Sequence, residues 1–229
     1  MNYYKSQEQH RLNRLFVIPK RKQSRTEEIA NALSHGTALV AAILATPYLI
    51  IHAAQVGDAA FIVGVSIFCA TMVLLYSAST FYHLATDGKG KRILRVFDHS
   101  AIFLLIAGTY TPFTLGAFRG AWGWSLFGTT WGVAAIGVAL KVIYKKLHPI
   151  ISTTLYLLMG WIIVIAFKPF ISHVPIPGVL WLVAGGVSYT VGVVFFALDA
   201  RLRYSHFIWH LFVMAGTLCH YVAIYRYAA

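Results

Sequence analysis

The stretch that decides the fold is AAFIVGVSIFCATMVLLYSASTFYHLAT, residues 59–86, in which Asp, Glu, Lys and Arg are all absent. An α-helix needs about 20 apolar residues to cross the hydrocarbon core of a bilayer, and this window exceeds that length. It lacks the sustained two-residue alternation of a transmembrane strand. Because a backbone in lipid must satisfy its own hydrogen bonds, the window predicts a transmembrane helix.

Six further windows of the chain share this absence of charge. Of the 229 residues, 59% are hydrophobic and only 11% are charged, whereas soluble domains carry about 25% charged residues. The pattern predicts an all-α integral membrane protein with seven transmembrane helices. The other uncharged windows are residues 29–57, 99–118, 120–140, 147–167, 169–198 and 204–225.

The chain is divided into a basic head, residues 1–28, and one seven-helix transmembrane domain, residues 29–229. Cys69 and Cys219 both fall inside predicted spans, so we expect small buried side chains and no disulfide. The predicted spans are residues 29–51, 60–84, 97–117, 121–141, 149–167, 177–198 and 205–226.

Basic residues are distributed unevenly between the two ends of these spans. The head and the second, fourth and sixth connections carry all but Arg119, Lys168 and Arg226 of the 19 Lys and Arg residues. Since cytoplasmic loops are enriched in Lys and Arg, this pattern predicts a cytoplasmic N-terminus and an exterior C-terminus. The formal charge of +12 is explained by topology and anionic headgroups, so no nucleic-acid partner is expected.

Polar side chains occur at or inside the predicted spans, where they are costly and usually functional. All of them lie near the end that the orientation places at the cytoplasm. The spans follow from hydropathy and the orientation from basic residues, so this convergence is an independent observation. The residues are Glu28, Asn31, Ser34 and His35 of span 1, Ser79 and His83 of span 2, Asp98 and His99 of span 3, and His206 and His210 of span 7.

A metal site is the chemistry that this set suggests. Residues four apart share a helix face at about 6 Å, so His206 and His210 can reach one ion, with His83 as a third imidazole. Three protein ligands plus an open position are typical of catalytic zinc, which activates a water and polarises a carbonyl. Asp98 could hold or deprotonate that water, and Ser79 could hydrogen-bond the water or a developing oxyanion.

Each of these residues also has a simpler interpretation. Asp98 could cap the start of span 3, and Ser79 could bond back to its own helix. Glu27 could be a solvated interface charge, and Asp199 could pair with Arg201 or Arg203. Histidines at connections or deep in span 7 are more often hydrogen-bonding groups than ligands. Those histidines are His52, His148, His173 and His220.

The same residues resemble a known family. The patterns Glu28-x-x-Asn31-x-x-Ser34-His35, Ser79-x-x-x-His83 with Asp98 fifteen residues on, and His206-x-x-x-His210 are similar to motifs of the progestin and adipoQ receptor superfamily. The chain length, the short connections and the phrase DHSAIFLLIAGTYTPF, residues 98–113, are similar to its bacterial branch, the hemolysin III-like inner-membrane proteins. The resemblance extends over about residues 25–228.

The resemblance implies seven helices and a zinc ion near the cytoplasmic side of a bacterial inner membrane. It implies His83, His206 and His210 as zinc ligands. Asp98 would hold a zinc-bound water, with Ser79 beside it.

The first motif block would support this site through Glu28, Asn31 and His35. His99 stands where the eukaryotic receptors tend to have a different residue, so it is not assigned to the metal. The short exterior C-terminus and the absence of an elaborated head also depart from those receptors, which argues against hormone sensing.

Three functions follow as hypotheses. The wider superfamily includes alkaline ceramidases, so the resemblance implies a zinc-dependent hydrolase that cleaves an amide or ester bond of a membrane lipid and contributes to membrane lipid homeostasis. The first alternative is a hemolysin-like cytolytic pore-former, although a pore needs a polar stripe along several helices that the sequence lacks. The second alternative is a membrane receptor or sensor with a structural zinc. The open coordination position and Asp98 favour catalysis.

Overall fold

The described part of the chain is helical. The computed structural model describes residues 21–144 and 149–229, and within these ranges it contains no strand. Seven helical segments in these ranges are long and apolar enough to cross a membrane, which confirms the predicted all-α fold with seven transmembrane helices. The helices are α1 (Arg25–Val56), α2 (Ala59–Leu84), α3 (Lys89–Leu115), α4 (Ala121–Ile143), α5 (Pro149–Gly160), α6 (Ile176–Leu198) and α7 (Ser205–Tyr227).

The fifth span is broken into three helical pieces. After α5, the chain continues through a 3-10 segment (Ile162–Ala166) and a short α-helix (Phe167–Ile171). The Tyr110 hydroxyl donates to Gly160 O at 2.7 Å and accepts from Ile163 N at 3.4 Å. A side chain of α3 therefore satisfies backbone groups at the break, as a break within lipid requires.

The spans alternate in direction, so α1, α3, α5 and α7 begin at the same end of the bundle. We call it the basic end, because ten described Lys and Arg residues lie there and only three lie at the other end. The first 20 residues of the predicted basic head lie outside the described residues. The ten are Arg21, Lys22, Arg25, Lys89, Lys91, Arg92, Arg95, Lys141, Arg201 and Arg203.

Two helices begin earlier than predicted. Ser24 and Glu27 form a capping box that starts α1 at Arg25: Ser24 Oγ accepts from Glu27 N, and the Glu27 carboxylate accepts from Ser24 N. α3 begins at Lys89, so Asp98 lies more than two turns inside it. The alternative that Asp98 caps this helix is therefore wrong.

The packing order of the helices brings α1, α2, α3 and α7 together at the basic end. α1 packs between α2 and α7, α3 packs against α2 and α4, and α6 packs against α7. Cys69 is buried in the apolar core, whereas Cys219 is only partly buried, so the expectation of a buried side chain is confirmed for Cys69 and wrong for Cys219. Both residues are free thiols. An apolar cavity of about 220 Å³ lies between α3, the fifth span, α6 and α7.

An ion pair stands at the opposite end of the bundle. Asp58 caps α2 by accepting from Phe61 N at 3.0 Å, and both of its carboxylate oxygens accept from Arg119 at 2.5 Å. The Arg119 guanidinium holds the pKa of the Asp58 carboxyl well below its usual range. Both side chains are about half exposed, so the pair contributes little to stability.

We expect close packing of α3 and α4 to make Gly137 intolerant of a side chain. A Cβ at Gly137 would lie 2.5 Å from the Phe103 ring, whereas a Cβ at Gly132 of the same helix would have no neighbour within 4 Å. Gly137→Ala should lower the free energy of unfolding by about 1–3 kcal/mol through overpacking. Gly132→Ala should be neutral or stabilising, because Ala is the better helix former. Equal melting temperatures of the two variants in detergent would contradict this packing.

Candidate metal centre

Three histidines from two helices face one another at the basic end. His83 lies in the last turn of α2, and His206 and His210 lie one turn apart at the start of α7. One ring nitrogen from each histidine lies within 4.8 Å of the other two. His83 and His210 are 1% exposed, and the His206 side chain is 11% exposed. Three imidazoles at this separation can hold one metal ion.

The start of α7 is fixed by contacts with α1 and α6. Tyr204 has a left-handed φ of 59° at the turn that precedes the helix, and its backbone N–H donates to Glu27 Oε1 at 2.8 Å. The Ser205 hydroxyl donates to Phe195 O at 2.7 Å. These bonds determine where the first turn of α7, and therefore His206, lies.

Carboxylates lie at Nδ1 of two of the three histidines. His83 Nδ1 donates to Glu28 Oε2 at 2.7 Å, whereas Asp199 Oδ2 lies 3.5 Å from His206 Nδ1, an ion-pair distance without a hydrogen bond. Because an ionised carboxylate only accepts hydrogen bonds, the bond to Glu28 favours a proton on Nδ1 of His83 and a lone pair on its Nε2, and the negative charge of Asp199 favours the same tautomer of His206. Metal-bound histidines are commonly held by carboxylates in this way.

The third histidine has the same arrangement with different partners. His210 Nδ1 donates to Asn31 O at 3.2 Å and lies 3.0 Å from Ser34 Oγ. A backbone carbonyl can only accept, so Nε2 of His210 also carries the lone pair. His83 Nε2 is buried and has no hydrogen-bond partner within residues 21–144 and 149–229. Since an unpaired buried lone pair is costly, these residues fit a metal ion.

The acidic residues at the start of α1 are bound to basic side chains. Glu27, expected as a solvated interface charge, is 2% exposed and accepts two hydrogen bonds from Arg21 at 2.6 Å. That expectation was wrong, because the chain before α1 folds back over the carboxylate. Glu28 is shared between its histidine and Lys91, whose Nζ donates to Oε1 at 2.8 Å.

The partner of Asp199 also differs from the expectation. Asp199 was expected to pair with Arg201 or Arg203, but it accepts from Gln23 Nε2 at 2.9 Å and faces His206. Burial raises the pKa of the Asp199 carboxyl, but the contacts with His206 and Gln23 outweigh burial and lower it. Asp199 therefore faces the histidine as a carboxylate.

A small polar cavity lies beside the histidines. Its volume of about 30 Å³ is enough for a water molecule. The Ser79 hydroxyl bonds with His35 Nδ1 at 2.7 Å, in place of the alternative bond to its own helix. The polar residues that line the cavity are His35, Ser79, Asp98, His99, His206 and His210.

His35, which was expected only to support the site, is in direct contact with the three-histidine cluster. Its ring stacks on His210 with a centroid distance of 3.5 Å and an angle of 6°. The stack and the Ser79 bond fix His35, and the stack in turn limits rotation of His210.

The structure brings together every residue that the sequence analysis assigned to the site. His83, His206 and His210 form the cluster, Glu28 and Asn31 hold it from α1, and His35, Ser79 and Asp98 line the adjoining cavity. Three described histidines lie apart from the site: His52 bonds to Tyr225 O, His173 packs on Phe118 and His220 bonds to Leu182 O. His148 lies outside the described residues.

Two neighbours of the site were missed by the sequence analysis. Asp199 lies seven residues before His206, a spacing that could have suggested contact across a short turn. Lys141, attributed to a basic connection, is buried in α4 with Nζ 3.3 Å from His99 Nδ1. Only the packing of α3 against α4 reveals this second contact.

Comparison with known protein families covers the whole of this site. A family model described as haemolysin-III related matches residues 23–221. The chain is 42% identical over 201 residues to the hemolysin-3 homolog of Bacillus subtilis (strain 168), covering 88% of this chain and 94% of that protein. It is 40% identical over 201 residues to hemolysin-3 of Bacillus cereus, covering 88% and 91%. It is 29% identical over 219 residues to the monocyte to macrophage differentiation factor of Homo sapiens, covering 88% and 84%.

We expect the carboxylates behind the histidines to strengthen metal binding. Glu28→Gln and Asp199→Asn should each weaken affinity for zinc about 10- to 100-fold, because they remove the charged acceptor that orients a ligand. Competition with a coloured chelator would measure the affinity in detergent. Asp58→Asn, which removes a capping carboxylate at the opposite end, is the matched control. A similar affinity in all three variants would contradict the role of these carboxylates.

Proposed function

The chain belongs to the haemolysin-III related family, and we propose that it is a metal-dependent membrane hydrolase that cleaves an amide or ester bond of a lipid. One observation carries the proposal: the cluster of three histidines adjoins a polar cavity, which is lined by His206, His210 and Asp98 and which itself adjoins an apolar cavity. The polar cavity supplies groups for hydrolysis, and the apolar cavity supplies a place for a lipid chain.

Zinc is the proposed metal. Three neutral imidazoles suit zinc, although they also suit iron, nickel and copper. A zinc ion held by Nε2 of His83, His206 and His210 would polarise a carbonyl and lower the pKa of water at the site. Within the described residues three histidines converge, and a cavity lies beside two of them, His206 and His210, whereas structural zinc sites are closed by four protein ligands. This difference favours hydrolysis over a receptor with a structural zinc.

Asp98 is the proposed general base and acid. It is 8% exposed and lines the cavity on the side of α3. Its carboxylate would take a proton from the attacking water and return it to the leaving nitrogen or oxygen. Ser79 lies beside it, and its hydroxyl proton is available to the cavity when His35 Nδ1 donates to Oγ.

The apolar cavity supports a lipid substrate. Leu75, Ile102, Trp209 and Val213 line both cavities, so the two are neighbours. The apolar cavity follows α3 from Ile102 to Phe113, a distance of about 16 Å at 1.5 Å per residue. An acyl chain in this cavity would place its carbonyl group at the polar cavity.

The second candidate function is cytolysis, because a relative at 40% identity is named hemolysin-3. The packing of the chain gives this candidate less support. Large apolar side chains are exposed on all seven spans, as lipid-facing surfaces require, and the polar cluster is confined to the basic end. We therefore place hydrolysis first, with membrane lipid homeostasis as its proposed role.

Removal of Asp98 should separate metal binding from catalysis. Asp98→Asn should lower kcat by at least about 100-fold, because it removes proton transfer, and should leave the metal content unchanged. Hydrolysis of long-chain amides and esters by purified protein, followed by mass spectrometry of the released acid, is the assay. Asp58→Asn is the matched control. Full activity of Asp98→Asn would contradict this mechanism.

We also propose that the basic end faces the cytoplasm of a bacterial inner membrane, since most described Lys and Arg residues lie there. Alkaline phosphatase fused after Ala229 should then be active, because it would lie outside. The same reporter fused within the connection at Gly88 should be inactive. The reverse pattern of activities would contradict the orientation.

A further inference from the structure

Lys141 is a charged side chain in an unusual place. It lies in the last turn of α4 and is only 7% exposed. Lysines near the end of a span usually extend their ammonium group to the aqueous interface. Lys141 is instead directed into the bundle, where its Nζ lies 3.3 Å from His99 Nδ1. An ionisable group turned inward within a span is expected to serve a function.

His99 is held from two sides. Its backbone oxygen accepts from the Tyr156 hydroxyl of α5 at 2.7 Å, and its ring is bound by Lys141 of α4. His99 also lines the polar cavity, one residue after Asp98 and three residues before Ile102. The ring therefore lies at the polar cavity, about one helical turn from Ile102, which lines both cavities.

The contact with Lys141 determines which nitrogen of His99 carries the proton. An ammonium group has three donors and no acceptor, so Nδ1 of His99 must accept. A neutral imidazole then has its proton on Nε2, which becomes a donor. Nε2 makes no hydrogen bond to any side chain or backbone group in the part of the chain that the structure describes. Its donor is therefore available to a ligand in the cavity.

We propose that His99 Nε2–H donates a hydrogen bond to the carbonyl oxygen of a lipid whose chain fills the apolar cavity, and that Lys141 positions His99 for this bond. The substrate class rests on the proposed hydrolase function. His99 is a catalytic residue in this proposal, and Lys141 is a positioning residue.

The hydrogen bond would strengthen during hydrolysis. The oxygen of water adds to the carbonyl carbon, the carbonyl π electrons move to the oxygen, and Asp98 takes the proton released by the water. The negative oxygen then accepts from His99 Nε2–H more strongly than the carbonyl does. When the electron pair returns, the carbon–nitrogen or carbon–oxygen bond breaks and Asp98 returns the proton to the leaving atom.

The first test uses a ligand that has no bond to hydrolyse. The probe is 2-tetradecanone, a methyl ketone whose infrared carbonyl band is separated from protein bands by comparison with its ¹³C-carbonyl form. Bound to zinc-loaded wild-type protein, the ketone should absorb at a lower wavenumber than in detergent micelles. His99→Phe should remove this shift with metal content unchanged, and His99→Gln, which keeps an N–H donor, should retain part of it.

Lys141 variants test positioning separately. Lys141→Met should reduce the carbonyl shift and should change the ¹⁵N spectrum of His99 from the single Nε2–H form to a mixture of tautomers. Lys141→Arg keeps a cationic donor and should restore both signals. Lys168→Met, which removes an exposed lysine at the opposite end, is the matched control and should leave both signals unchanged.

Kinetics supply the second test. With a hydrolysable lipid, His99→Phe should lower kcat by about 100-fold and change KM little, as loss of one oxyanion donor does. If His99→Phe hydrolyses the lipid with the wild-type kcat, and the ketone band of the wild-type protein is unshifted, the proposal is overturned and the hydrolase function stands. A shifted ketone band that depends on His99, in a protein that hydrolyses no lipid, would overturn the hydrolase function and leave the carbonyl contact standing. A ketone band that stays shifted in folded His99→Phe and His99→Gln alike, or a wild-type protein that does not bind the ketone, would also overturn the proposal.

Discussion

The oxygen atoms that lie at Nδ1 of the three histidines form the contacts on which the rest of the site depends. Glu28, Asp199 and the Asn31 carbonyl approach the rings from outside the cluster. Because these groups accept, they leave the Nε2 lone pairs facing one another. Water cannot freely satisfy such lone pairs within a membrane span, so the arrangement is costly without an ion. This cost connects the fold to the proposed metal-dependent function.

The same constraint explains why α1 lies between α2 and α7. Its first turns supply acceptors to one histidine on each neighbouring helix, and Glu27 also accepts from the backbone of Tyr204. α3 supplies Asp98 and His99 to the adjoining cavity. Beyond the cavity, the broken fifth span and α6 leave apolar space for a lipid chain. The histidine cluster, the polar cavity and the apolar cavity therefore have separate places around one point at the basic end.

The seven spans could be predicted from the sequence, because each depends on a local run of apolar residues. The grouping of His83, His206 and His210 could be predicted from span ends and motif spacing together. The partners of Glu27, Asp199 and Lys141 could not, since each contact joins residues distant in sequence or depends on how a connection folds back. Local charge spacing suggested arginine partners for Asp199, but in the structure Asp199 contacts Gln23 and His206. The early start of α3 was also missed, because Lys89, Lys91, Arg92 and Arg95 interrupt the apolar run at the start of the helix.

The central claim is that the three histidines bind a metal ion, and metal content tests it most directly. Elemental mass spectrometry of wild-type protein, purified in detergent without chelator, should find about one zinc per chain, as expected for a three-histidine site. A His206→Ala/His210→Ala double variant that elutes as the same folded species should contain almost none. Wild-type protein without stoichiometric metal, or equal zinc in both proteins, would contradict the account and leave the histidines as interhelical hydrogen-bonding groups.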